Sequence, residues 1–207
     1  MIVIAHRGFS SRYPENTLPA IRAAMRLGVD MVEIDVQQTR DGELIVFHDY
    51  RLDRVCGVRA RVRDKTLRQI KRLHPAVPTL AEVLRLRYPL LIEIKGADPE
   101  KVAALVGNRQ DVIIFSIHAG KMQRLAKANP RIRRFGLAAR KLRLKTPVEG
   151  VGLSRRLVDS PAVVRRIHRR GWKLFVWTVN DPREMRRLRD WGVDGLITNH
   201  PERALQL

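Results

Sequence analysis

Residues 31–48 read MVEIDVQQTRDGELIVFH. Met31–Val36 is an apolar run broken by Glu33 and Asp35, and a second run, Glu43–Phe47, follows it after only Thr39-Arg40-Asp41-Gly42. Parallel neighbours need about a dozen or more connecting residues, whereas an Asp-Gly turn suits a hairpin. The second run is therefore expected to return antiparallel on the first, which brings His48 back beside Asp35 and Glu33. Elsewhere the chain leaves room for crossovers. Buried-strand runs occur at Ile2–Ala5, Met31–Val36, Leu90–Ile94, Val112–Ile117, Arg134–Leu137, Gly150–Leu153, Lys173–Val179 and Gly195–Thr198. They alternate with amphipathic, capped segments, the pattern of an α/β fold, and eight such strands suit a closed (β/α)8 barrel.

Helix starts punctuate that alternation. Asn16 precedes a segment with Leu18, Ile21 and Met25 on one face and reads as its N-cap, with Glu15 bracing the loop. Thr79 with Glu82, and Asp181 with Glu184, have capping-box spacing. Asp98-Pro99 and Ser160-Pro161 each place a cap before a proline, and Gly28, Gly171 and Gly192 mark helix ends. Residues 49–78 read as a short irregular insertion with one helical patch near Leu67–Leu73. The stretch Ala138–Pro147 is short for a crossover, so one barrel helix is expected to be missing or shortened there. No interdomain linker or repeat appears, and residues 1–207 are read as one domain.

The chain has 207 residues, 44% hydrophobic and 30% charged, which does not suit a disordered protein. A lone Cys56 argues against a disulfide scaffold and a zinc module. No signal-peptide pattern or membrane-length apolar run is present, and a cytoplasmic location is expected. The net charge is +20, from 41 Lys and Arg against 21 Asp and Glu. Residues 1–54 carry 7 basic and 8 acidic side chains, so the remaining 34 basic and 13 acidic ones give residues 55–207 a net +21. Such a surface suits a polyanion or an acidic membrane, although scattered arginines on helices are commonly a solvated face.

Buried parallel strands are nearly continuous Val/Ile/Leu runs, so charges inside them need a partner and a reason. Glu33 and Asp35 lie two apart on one strand and Glu93 and Lys95 two apart on another, each pair on one face, while His6 and Arg7 end the first strand. In a parallel barrel all strand C-termini open on one side, where these six residues and His48 can converge. Three carboxylates without thiolates suit a hard cation, Mg²⁺ or Ca²⁺, better than zinc. Taken singly, Glu33 or Glu93 could instead form a buried ion pair with Lys95 or Arg7 and do no chemistry.

At these positions the sequence resembles the glycerophosphodiester phosphodiesterase family. The matching motifs are Ala5-His6-Arg7-Gly8, Pro14-Glu15-Asn16-Thr17, Glu33-Ile34-Asp35-Val36, Asp41-Gly42, His48-Asp49, Leu52-Asp53-Arg54, Pro78-Thr79-Leu80 with Glu82, and Glu93-Ile94-Lys95. Trp177-Thr178-Val179-Asn180 and Gly192–Thr198 extend the likeness over essentially the whole chain. The resemblance implies a TIM-type barrel and hydrolysis of glycerophosphodiesters to glycerol phosphate and an alcohol, with a divalent cation (Mg²⁺ or Ca²⁺, with Mn²⁺ a further option). It implies Glu33, Asp35 and Glu93 as metal ligands and His6 and His48 as the catalytic pair. Arg7 and Lys95 would contact phosphate, and Trp177 and Asn180 the glycerol. Two departures stand out: the segment after His48-Asp49 is short, and Asn199 occupies a place where relatives often have Asp.

Three functions follow from this reading. The first is hydrolysis of small, deacylated glycerophosphodiesters. The second keeps the site but gives it lipid diesters, as in a lysophospholipase D, with peripheral contact to an anionic membrane. The third, a basic nucleic-acid-binding barrel, fits poorly with 5% aromatic residues and no nucleic-acid motif, so no nucleic-acid partner is expected. The residues leave open which histidine is the acid, and whether water or a glycerol hydroxyl attacks phosphorus first.

Overall fold

The computed structural model describes residues 1–140 and 147–207. In chain order the elements are β1 (Ile2–His6), α1 (Leu18–Leu27), β2 (Met31–Gln38), β3 (Leu44–Val46), α2 (Asp53–Cys56), α3 (Leu67–Leu73), α4 (Leu80–Leu84), β4 (Leu90–Ile94), α5 (Pro99–Val106), β5 (Val112–Ser116) and α6 (Ala119–Ala128). They continue as β6 (Arg133–Ala138), β7 (Gly150–Ser154), α7 (Pro161–His168), β8 (Lys173–Trp177), α8 (Pro182–Asp190), β9 (Gly195–Thr198) and α9 (Pro201–Ala204). Short 3₁₀ turns lie at Val62–Asp64 and Arg155–Leu157.

Eight parallel strands run in the order β1-β9-β8-β7-β6-β5-β4-β2, and a β1–β2 pairing closes the barrel. The remaining strand, β3, returns antiparallel along β2 with Val36 opposite Val46, as the Asp41-Gly42 turn predicts. Phe47 N–H bonds the carbonyl of Asp35, so His48 follows directly onto the strand that carries both carboxylates. The expected short connection over Ala138–Pro147 falls largely on residues 141–146, which lie outside the described residues.

Strand periodicity explains where polarity goes. Ile4, Met31, Leu91, Ile113, Phe115, Phe135, Leu137, Phe175 and Ile197 form one apolar cluster inside the barrel. Two residues further along β1, β2 and β4, on the same faces, come His6, Glu33 and Glu93. The alternate positions, among them Val3, Ala5, Val32, Ile34, Ile92 and Val112, pack outward with helix residues such as Ile21, Val102 and Leu125. Fully burying a large apolar side chain contributes about 1.5–3 kcal/mol, so the apolar inner layer and outer shell stabilise strands that end in charge.

The helices follow their caps, with one correction. Thr17, not Asn16, caps α1: its backbone is extended and its hydroxyl accepts from Ala20 N–H. Asn16 cannot do so because it sits in the left-handed region at φ 59°. Thr66 and Thr79 form reciprocal capping boxes with Gln69 and Glu82. Asp98 and Asp181 cap α5 and α8, whereas Ser160 starts α7 without a side-chain capping bond. The insertion holds a satellite core of its own, in which Leu52, Val62, Ile70 and Val77 pack on Ile45 and Phe47. Among the described residues no helix is long and apolar enough to cross a membrane.

Candidate active site

The carboxyl ends of the strands open into a cavity of about 190 Å³ whose wall includes His6, Arg7, Glu33, His48, Glu93, Lys95 and Trp177. Strand register brings them together: His6 lies opposite Glu33 and Asp35 opposite Glu93. Oxygens of Glu33, Asp35 and Glu93 lie within 4.8 Å of one another, and all three side chains are buried. Among the described residues Asp35 Oδ1 and Glu93 Oε1 receive no hydrogen bond of good geometry; Lys95 Nζ lies 3.5 and 2.7 Å from them. Packed carboxylates with free lone pairs suit a hard divalent cation, so this donor set fits the metal that the resemblance implies.

Crowding and burial shift these acids apart. Burial, then repulsion from Asp35, pushes Glu33 well above the usual carboxylate range. Glu93 is pushed up to about 7, mainly by burial and further by Asp35, against the pull of Lys95. Burial would also raise Asp35, but Arg7 and Lys95 outweigh it and hold its carboxyl below the ordinary value. Lys95 is raised, because Glu93 and Asp35 overcome its own burial. A cation entering this cluster has to displace protons from the two glutamates.

Arg7 turns the chain out of β1 at φ 57°, a left-handed conformation that is strained for a non-glycine residue. Its N–H donates to Glu33 Oε2 at 3.0 Å, Nη1 donates to Glu15 at 3.0 Å, and Nε lies 3.2 Å from Asp35 Oδ2. Gly8 follows at φ 81°, and a Cβ there would stand 2.6 Å from the backbone of Ala20, so only glycine lets α1 approach this turn.

The two histidines are tethered through the same ring atom by different partners. His6 Nδ1 lies 2.6 Å from Asn199 Oδ1, and its Nε2 is 3.9 Å from Glu33 Oε2. Burial, reinforced by Arg7, lowers His6 to about 4, so the ring is neutral at pH 7. His48 Nδ1 lies 2.6 Å from Asp49 Oδ1. Asp49 accepts from Arg54 at 2.6 Å, and Arg54 reaches Glu15, which also holds Arg7. Burial would raise Asp49, but hydrogen bonds from Arg54 and His48 outweigh it and keep its carboxyl low.

The sequence allows Asn16 a site role but favours it as a cap, and it gives Asn199 no role at all. Asn16, 3% exposed, clamps Asp35 twice: its Nδ2 donates to Asp35 Oδ2 at 2.9 Å and its Oδ1 accepts from Asp35 N–H at 3.2 Å. A readable signal existed, since Asn-Thr offers two successive capping residues and asparagine tolerates the left-handed region. Asn199 lies 193 residues from His6, and nothing local announces that contact. Trp177 lines the cavity with its indole N–H buried and without an acceptor among the described residues. Asn180 is not in the cavity wall; its Oδ1 accepts from Thr198 Oγ1 and Asn199 N–H, which braces the segment behind His6.

Comparison with known proteins agrees with this geometry. The family model for the glycerophosphoryl diester phosphodiesterase family matches residues 6–203. A glycerophosphodiester phosphodiesterase of Caldanaerobacter subterraneus subsp. tengcongensis is 34% identical over 236 aligned positions, covering 100% of this chain and 97% of that protein. The glycerophosphodiester phosphodiesterase structures from Thermotoga maritima and Agrobacterium tumefaciens are each 27% identical over 100% of this chain. Their TM-scores are 0.87 and 0.85, and 97% and 100% of those chains are covered. This chain, a phosphoric diester hydrolase on a closed parallel barrel, belongs to the glycerophosphoryl diester phosphodiesterase family.

Proposed function

We propose that the enzyme hydrolyses small, deacylated glycerophosphodiesters, with Glu33, Asp35 and Glu93 holding a divalent cation, Mg²⁺ or Ca²⁺, and His6 and His48 dividing the proton transfers. The observation that carries this reading is the meeting of three buried carboxylates with two histidines, each tied back through Nδ1, around one cavity. Bound there, the cation supplies Lewis-acid stabilisation of charge growing on the phosphoryl oxygens. Lys95 adds a point charge and Arg7 its remaining guanidinium donors, both directed to phosphate.

His6 is the base in this scheme. With Nδ1–H donated to Asn199 Oδ1, its Nε2 lone pair is available, and the neutral form persists down to about pH 4. His48 gives a proton to the departing alcohol, with Asp49 fixing its ring and balancing charge during the transfer. Trp177 offers its N–H, unpartnered among the described residues, and its indole face to the glycerol. Asn180 acts one step back, by holding Asn199 in place. A second reading, an acyl chain on the glycerol, draws on the apolar wall of Phe115, Leu137 and Ile197 and on Ile117, 52% exposed at the rim.

The test is release of glycerol phosphate from glycerophosphocholine and glycerophosphoethanolamine by enzyme stripped with EDTA and then given Mg²⁺, Mn²⁺ or Ca²⁺. Activity lost with EDTA and restored by one cation is expected. Folded, cation-loaded enzyme that leaves both diesters intact but cleaves a lysophospholipid would transfer the assignment to lipid diesters.

A further inference from the structure

A second cavity, of about 420 Å³, adjoins the first and is lined by Gln37, Tyr50, Arg51, Arg61, Arg63 and Gly96. Gln37 and Gly96 link the two. Gln37 Nε2 donates to the carbonyl of His48, and Gly96 follows Lys95 in the chain. A Cβ on Gly96 would stand 2.0 Å from Gln37 Oε1 and 3.5 Å from the Tyr50 ring, so the absence of a side chain lets Gln37 and Tyr50 pack at the end of β4 beside Lys95.

The arginines stand on a fixed frame. Val62 N–H bonds the carbonyl of Tyr50, Leu52 N–H bonds that of Ala60, and Arg51 pairs with Arg61 as an antiparallel bridge. Leu52 and Val62 are buried beneath it, while Arg51, Arg61 and Arg63 are exposed. Their charge is only partly answered. Arg51 is forked onto Asp53, Arg63 reaches Asp64 at 3.9 Å, and the Arg61 guanidinium has no ion-pair or hydrogen-bond partner among the described residues.

We propose that this cavity receives the alcohol portion of the substrate and selects diesters whose alcohol carries a second phosphate. The inference rests on the diesterase reading above, in which His48 protonates the leaving alcohol. That role puts the alcohol on the His48 side, where the Gln37–His48 bond also places the arginine-lined cavity. Guanidinium forks match phosphate oxygens, whereas a choline or ethanolamine head group would meet like charge.

The test compares kcat/KM for 1,3-bis(glycerophospho)glycerol and for glycerophosphocholine in the wild type, in the double variant Arg61→Ala/Arg63→Ala, and in Arg165→Ala/Arg166→Ala. The last removes the same charge from the exposed face of α7. The wild type should favour the bis-phosphate diester. The pocket variant should lose that substrate about tenfold or more, through KM, and hold glycerophosphocholine within about twofold, with the α7 variant near wild type. Equal losses on both substrates, no loss, or the same loss from α7 overturns the subsite while leaving the diesterase reading intact. Failure of the wild type to cleave either diester overturns that reading and the subsite with it.

Discussion

His6 and His48 reach one cavity from two kinds of structure. His6 ends a central barrel strand, and its partner Asn199 follows β9, so the contact exists only because β1 and β9 are neighbours in the closed barrel. His48 ends the hairpin, and its partner is the next residue, held in turn by Arg54 and Glu15. The barrel side is half-buried and offers a neutral amide. The insertion side is a chain of charges in which Arg54 is 52% exposed. Half-exposed ion pairs of this kind contribute about 0–1 kcal/mol each, so the barrel fixes one histidine by packing and the insertion holds the other by mutually supporting weak links. The difference teaches that a shared cavity need not mean shared rigidity, and that the His48 side is where charge and substrate fit can change without disturbing the core.

The comparison breaks most visibly if the two histidines are not a functional pair. His6→Ala and His48→Ala are each expected to lower kcat by ~10²-fold or more with the fold intact by circular dichroism. If they act as a unit, the double variant should be little worse than the poorer single. Near-normal turnover in either single variant removes that histidine from the chemistry.

Smaller effects sharpen the contrast in what each side supports. Asn16→Ala frees Asp35 from both clamping bonds and should weaken divalent-cation affinity by about 10–100-fold in calorimetric titration. Asp49→Asn breaks no direct contact with the cation cluster, which it meets only through Arg54, Glu15 and Arg7, and should lower kcat about tenfold with little change in cation affinity. Cation binding weakened as much in Asp49→Asn as in Asn16→Ala, or unchanged in Asn16→Ala, would merge two supports that the geometry joins only through Arg54, Glu15 and Arg7.

The smallest effect is a pH dependence of stability without cation. Glu93 is raised from 4.5 to about 7, so its contribution is fully present below pH 4.5 and is lost as pH rises through 7. His6, lowered from 6.5 to about 4, has the opposite sign, with stability present above 6.5 and lost as pH falls toward 4. Between about pH 6 and 8 Glu93 loses on the order of 1 kcal/mol and Glu33, also raised, adds to that loss, while His6 returns somewhat less than about 1 kcal/mol. On balance the EDTA-treated wild type should therefore lose stability in urea unfolding. Glu93→Gln should flatten that loss. An equal slope in the variant would place the titration elsewhere.

Much of the barrel was legible because strand periodicity is local. The runs from Met31 and Leu90 told which residues share a face, and the Asp41-Gly42 turn told that His48 returns to them. Strand ends were less legible: β8 stops at Trp177 rather than continuing to Val179. The satellite core of Leu52, Val62, Ile70 and Val77 has no regular period to announce it. Asn16 was misread because Asn and Thr in succession both satisfy capping chemistry, and only backbone conformation separates them.

By itself, the sequence determined the alternation of strands and helices, the hairpin, and the placement of carboxylates and histidines at strand ends. These depend on side-chain period and turn chemistry over a few residues. Tertiary structure alone decided that Asn199 meets His6, that Asn16 holds Asp35, and that Arg51, Arg61 and Arg63 gather around one cavity with Gln37 and Tyr50. The first two contacts join residues 193 and 19 positions apart, and the third rests on the fold of an aperiodic insertion. No local preference encodes such meetings; closing the barrel and packing the insertion against it create them.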